Sequence, residues 1–340
     1  MAGKQHHHVW RMLQRGFGDK KGADHHIWVY HKGVIPSRKG TRNFGADRFF
    51  YGPEGSETDE SITKFENSVQ GKIQDARVLD DGEELSAMFV APLIAHLESR
   101  SNFLRAELSS LLERIQFVLG DHFSSTAKLK TMARDYLKRN PEQINELLAT
   151  NFVPNSQREL LSKQIEVYFD HLPTEVFESL LDGMVAEAFL LAKLLPDVVK
   201  ESHNKAILEI KSESPRVKAL LEFKYTVYRP QVGQLILPDT CCAFIGLKDC
   251  TPFAQPQNAV HTIIVPISSE VAIVGRKGKE WPLELKTVNR LLAGCAHDAF
   301  IARTNDPVLA SLSGRIGKYA KLIGDKEIRE LLSFENLLSK

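Results

Sequence analysis

The chain has 340 residues, 43% of them hydrophobic and 26% charged, a balance that excludes wholesale disorder and leaves room for one large domain or two closely packed ones. A formal charge of +1 gives no global attraction to nucleic acid or anionic lipid, although a local basic patch stays open. The most apolar stretch, 184–199, is broken by Glu187, Lys193, Pro196 and Asp197, so neither a membrane span nor a membrane partner is expected.

Taken in chain order, residues 1–55 read as a β-rich module. Met1 to His8 lacks the apolar run of a secretory signal. Ile27 to Tyr30 is a short strand candidate, Pro36 to Gly45 a basic loop, and Arg48 to Tyr51 a second strand ended by Gly52-Pro53. Residues 56–215 read as helical. Ile62, Phe65, Val69 and Ile73 recur at helical spacing behind Glu57, Asp59 and Glu60, and Leu104 to Leu119 carries a second stripe. Ser156 with Glu159 has capping-box spacing, and Thr174 introduces a further stripe through Ala188.

Residues 216–340 change period. Phe223, Tyr225 and Val227 alternate with polar residues, and short apolar runs at 235–237, 242–245, 263–265 and 271–274 suggest an antiparallel sheet. Pro282 opens a helix through Ala296, and 325–338 reads as a terminal one. The expected fold is α+β: an N-terminal β-rich module and a C-terminal antiparallel sheet packed on a central helical bundle. One composite domain is expected, because the first module is too short for its own core.

Four cysteines, Cys241, Cys242, Cys250 and Cys295, fall in the last third without a CxxC pair. They read as buried thiols of a cytoplasmic protein rather than a disulfide framework or a zinc site. Cys241 or Cys242 with His261 could form a nucleophile and base, but nothing local activates them. No GxGxxG, Walker, GxSxG or HExxH motif occurs.

Chemistry concentrates at the start. Six of the twelve histidines, His6, His7, His8, His25, His26 and His31, lie in the first 31 residues, and imidazole can move protons or bind metal or phosphate near neutral pH. On a strand, at most two of His6, His7 and His8 can face one point. Around them, Lys4 to Phe17 resembles the opening signature of the mostly bacterial family catalogued as domain of unknown function 4238, with His7, Val9, Arg15 and Phe17 on family positions. His8 stands where that family has Tyr, and Trp10 where it has Pro. The resemblance continues through Trp28-Val29-Tyr30, Phe49-Phe50-Tyr51, Glu66, Arg100, Arg105, Leu237 to Thr240, Val265 to Ser268 and Asn289.

What the resemblance implies is a polar site in which His7, Glu66, Arg100 and Asp239 converge, with Arg105 and His8 as binding residues. The same four would otherwise be an ion-paired structural network. A third pattern, Pro196-Asp197 followed by Glu209-Ile210-Lys211, resembles the PD-(D/E)xK nucleases, provided that Glu209 and Lys211 lie on a strand. Three readings therefore stay open: a nucleic-acid or nucleotide hydrolase of toxin-like or phage-defence type, a non-catalytic ligand- or protein-binding module, and a PD-(D/E)xK-like nuclease. The cofactor is open as well, a divalent metal included.

Overall fold

The computed structural model describes residues 5–122, 126–139, 141–150, 152–171, 194, 196–247, 250–254, 259–278 and 283–321, with 324, 326, 328 and 330. The protein is α+β, with several antiparallel sheets and helices. It divides into two compact units, 1–107 with 199–322 and 108–198 with 323–340, a division that cuts across the segment read as 56–215. Among the described residues no helix is long and apolar enough to cross a membrane.

In the larger unit, β1 (Gln5–His7) pairs antiparallel with β5 (Ala46–Arg48), so the opening histidines are built into a two-stranded ribbon. Between them come α1 (Arg11–Arg15), β2 (Asp19–Lys21), β3 (Asp24–His31) and β4 (Ser37–Gly40). Strand β3, which buries Ile27, Val29 and Tyr30, pairs with both β2 and β4. The expected loop at 36–45 thus contains a strand: Ser37 to Gly40 is polar because it lies beside β3 with little to bury. The expected strand at 48–51 is instead a turn after Arg48. The Gly52 amide donates to the Phe49 carbonyl (3.0 Å), and Phe49 takes φ 53°.

Ser56 caps α2 (Glu57–Ala76) by accepting from the Asp59 amide, and three acidic residues fill its first turn, where the helix dipole favours them. After β6 (Glu84–Leu85) comes α3 (Ala87–Arg100), buried almost all round from Phe89 to Leu97, as an interior helix must be. Helix α4 (Asn102–His122) follows.

In the smaller unit, α5 (Thr126–Arg139), α6 (Pro141–Thr150) and α7 (Asn155–Tyr168) pack on one another, burying Ile144, Leu148 and Phe169. Helix α7 has Pro154 rather than Ser156 at its N-cap, with no side-chain bond, so the capping box is not used. The stripe expected from Thr174 to Ala188 lies outside the described residues, as does most of 325–338.

Residues 196–208 form α8, and Glu209 stands in the turn that ends it, 3.9 Å from Lys205. The strand that the Asp197, Glu209, Lys211 reading requires is absent there: the helix runs through 208, Glu209 is in a turn, and Ile210 and Lys211 have no regular structure.

Returning to the larger unit, α9 (Pro215–Leu221) leads into β7 (Lys224–Tyr228), β8 (Leu237–Pro238), β9 (Ala243–Ile245), β10 (Cys250–Thr251), β11 (Thr262–Ser268) and β12 (Val271–Arg276). One antiparallel sheet runs in the order β10-β9-β11-β12-β7-β6. Strands β11 and β12 are nearly continuous apolar runs covered on both faces, and each fully buried Ile or Val contributes roughly 1.5–3 kcal/mol. Helix α10 (Leu285–Cys295) carries the expected stripe, starting after Glu284. Strand β13 (Ala299–Ala302) joins β3 to β8, bringing the start of the chain onto its late part; α11 (Pro307–Leu312) follows.

Candidate functional site

Strand β1, helix α1 and one face of α2 enclose a cleft of about 1070 Å³. The wall from α2 presents Asp59, Ile62, Thr63, Glu66, Asn67 and Gln70, three or four residues apart and therefore on one helical face. Its basic lining is Arg11, Arg15, Arg42, Arg48 and Arg100, against the carboxylates of Glu54, Asp59 and Glu66.

His6 and His7 both reach the cleft and are held differently. The Tyr51 amide donates to Nδ1 of His6 at 2.9 Å, which places the ring proton of neutral His6 on Nε2, 3.5 Å from Asp59. His6 also stacks on Tyr51. His7 Nε2 is buried and has no hydrogen-bond partner. Burial lowers its pKa, and the flanking Arg11 and Arg100 add to that, against a hydrogen bond with the Thr41 backbone and the charge of Glu66. At neutral pH His7 is therefore an unprotonated imidazole, the state a general base requires.

Arg100 is buried at 3% exposure, between the rings of Trp10 (5.8 Å) and Tyr51 (5.9 Å). One of its Nη atoms donates to the His7 carbonyl (3.0 Å) and pairs with Glu66 (2.7 Å), while its Nε has no partner. Burial opposes this charge most, but Glu66 and Tyr51 together outweigh it and hold the guanidinium above its ordinary range. Arg11 pairs with Asp24 at 3.0 Å. Burial disfavours the Asp24 carboxylate, yet hydrogen bonds from Thr41, the His25 amide and Arg11 keep its pKa well below the usual range.

The structure thus brings His7, Glu66 and Arg100 together and sets Asp239 apart. Asp239 does not line the cleft; its carboxylate accepts from the amides of His297 (2.7 Å), Asp298 (2.7 Å) and Ala299 (3.0 Å), tying β8 to β13. It is a loop anchor. Arg105 and His8 also lie outside the lining. Arg105 donates to the Phe50 carbonyl (2.7 Å), meets His203 (2.9 Å) and covers the Phe50 ring at 3.7 Å. His8 packs on Phe50 beside Asp47, and burial pushes its pKa down to about 4. The Asn289 side chain is spent on the backbone of Gln234 and Ile236.

Comparison with family models, curated proteins and solved structures finds no match.

The four cysteines are unbonded and buried, and burial pushes the thiols of Cys241, Cys242 and Cys295 up, opposite to what a nucleophile needs. Among the described residues no three His, Cys, Asp or Glu side chains are grouped to hold a metal ion. Pattern reading placed His6 in the histidine cluster without assigning it to the site, and missed Asp59, Arg11, Arg42 and Arg48. A signal for the arginines was present: residues 1–50 hold ten Lys and Arg against three Asp, a net +7 concealed within a chain of +1.

Proposed function

We propose that the cleft binds a phosphate-bearing ligand of the nucleotide or nucleic-acid class and hydrolyses a phosphoester in it, with His7 as the base. The observation that carries this reading is the lining itself, five guanidiniums beside an unprotonated, unpartnered imidazole, facing three carboxylates. Guanidinium is the side chain best matched to phosphate oxygens, and it disperses charge as a phosphoryl group transfers. In the proposed step, water oxygen bonds to phosphorus while His7 Nε2 takes its proton. The ester P–O bond then breaks and the proton passes to the leaving oxygen, so one water is added across one bond.

A chain with four buried, unbonded thiols suits a cytoplasmic setting, where a toxin-like or phage-defence effector would meet such ligands. The resemblance to domain of unknown function 4238 implies His7, Glu66, Arg100 and Asp239, of which the first three line the cleft, and names no reaction.

A second reading, a non-catalytic binding module, draws on the Arg100 to Glu66 pair and the Arg100 bond to the His7 carbonyl, which also brace β1 against α2 and α3. Product analysis on nucleotides and single- and double-stranded nucleic acid, with and without added divalent metal, separates the two. Hydrolysis that falls at least about 100-fold in His7→Ala, with phosphate binding retained, is expected. Binding without hydrolysis in any of these conditions would leave the second reading.

A further inference from the structure

We infer that Phe49, next in the chain to Arg48 of the cleft lining, is a stacking platform for a nucleobase, so that the ligand is recognised as a nucleotide unit and not as a phosphate alone. This rests on the phosphate-binding reading of the cleft and deepens it.

Three observations converge on the ring. First, Phe49 is 42% exposed, whereas the next two aromatic residues, Phe50 and Tyr51, turn inward and are buried. Second, Phe49 holds a left-handed backbone conformation, φ 53°, which is strained for a bulky residue and easy for glycine. The turn from 49 to 52 needs only the Phe49 carbonyl, which accepts from the Gly52 amide. Glycine there would satisfy the turn without strain and without showing an apolar ring to water. A strained backbone at a partly exposed aromatic residue is characteristic of functional positions.

Third, Phe49 is not itself in the lining of the cleft but is flanked along the chain by residues that are: Arg48 on one side, exposed and without an ion pair among the described residues, and Tyr51 two residues on. An exposed aromatic face beside a free guanidinium is the pairing that holds a base and its phosphate, because every base has a π-face and every nucleotide an anionic oxygen. The net +7 of residues 1–50 draws the same ligand. Two sources carry this chemistry, a free nucleotide and a single strand.

The test compares wild type, Phe49→Ala and Phe49→Gly for equilibrium binding of tripolyphosphate, ATP and a single-stranded dodecanucleotide at one ionic strength. Circular dichroism and thermal melting confirm that both variants fold. Both variants should weaken ATP, the dodecanucleotide or both by about ten-fold and leave tripolyphosphate unchanged. Whichever base-bearing probe shows the loss identifies the source. Equal affinity of all three proteins for both base-bearing probes, with tripolyphosphate still bound, overturns the platform and leaves the phosphate reading standing. Wild type that binds none of the probes overturns both.

Discussion

Two arginine–glutamate pairs in the larger unit look alike in sequence and differ in how completely they are used. Arg216 meets Glu98 through Nε and Nη2, each on its own carboxylate oxygen, and its Nη1 donates to the Ala254 carbonyl (2.8 Å). The rings of Phe244 and Phe253 flank its guanidinium, and the Glu98 side chain is wholly buried. Burial opposes the charge on Arg216, but Glu98 outweighs it and raises the guanidinium above its ordinary range. Arg100 meets Glu66 through a single Nη, keeps Nε unpartnered and faces a cleft, and Glu66 is 31% exposed. A saturated pair is a structural clamp. On the proposed reading, the incomplete pair at the cleft is the one that a ligand engages, and the saturated pair belongs to the scaffold.

The contrast is broken most forcefully on the clamp. Arg216→Met strands the buried Glu98 carboxylate and should cost about 3 kcal/mol, the lower end for a broken buried pair because Arg216 itself is partly exposed. Denaturant unfolding measures this, and a loss below about 1 kcal/mol would mean the clamp contributes little. Acid gives a graded effect through buried histidines outside the cleft lining. Burial pushes His8 and His203 down to about 4 and His96 down to about 3, from 6.5. Between those values the unfolded chain binds more protons than the folded one. The stabilisation is therefore present above about pH 6.5 and is lost as pH falls toward 4. Melting temperatures that stay flat across that window would contradict the burial of these rings. Smallest is Glu66→Gln, which keeps an acceptor for Arg100 and should cost about 1 kcal/mol in the same unfolding assay, given the exposure of Glu66.

How much of this could be read beforehand depends on what each signal encodes. Strands β7, β11 and β12 were legible because alternation and apolar runs report burial directly. Strand β4 was not, since Ser37, Arg38, Lys39 and Gly40 pair through backbone bonds that leave no hydrophobic trace. The aromatic run 49–51 resembled a strand, but its first residue takes a left-handed φ that residue type disfavours and periodicity does not report. At the site, His7, Glu66 and Arg100 were legible as chemistry, whereas Asp59 was read only as an acidic helix start. Its second role, beside His6, depends on the ribbon that β1 forms with β5. Asp239 was legible as a carboxylate and not as an acceptor for three amides sixty residues further along the chain, because hydrogen-bond partners follow from tertiary contact.

The most direct measurement is calorimetric titration of tripolyphosphate into wild type and Glu66→Gln. If the open valence of Arg100 belongs to a ligand, wild type binds with one-to-one stoichiometry, and removing the competing carboxylate tightens binding by about five- to ten-fold. No heat of binding in either protein, or identical affinities in both, would mean that Arg100 and Glu66 only brace the fold.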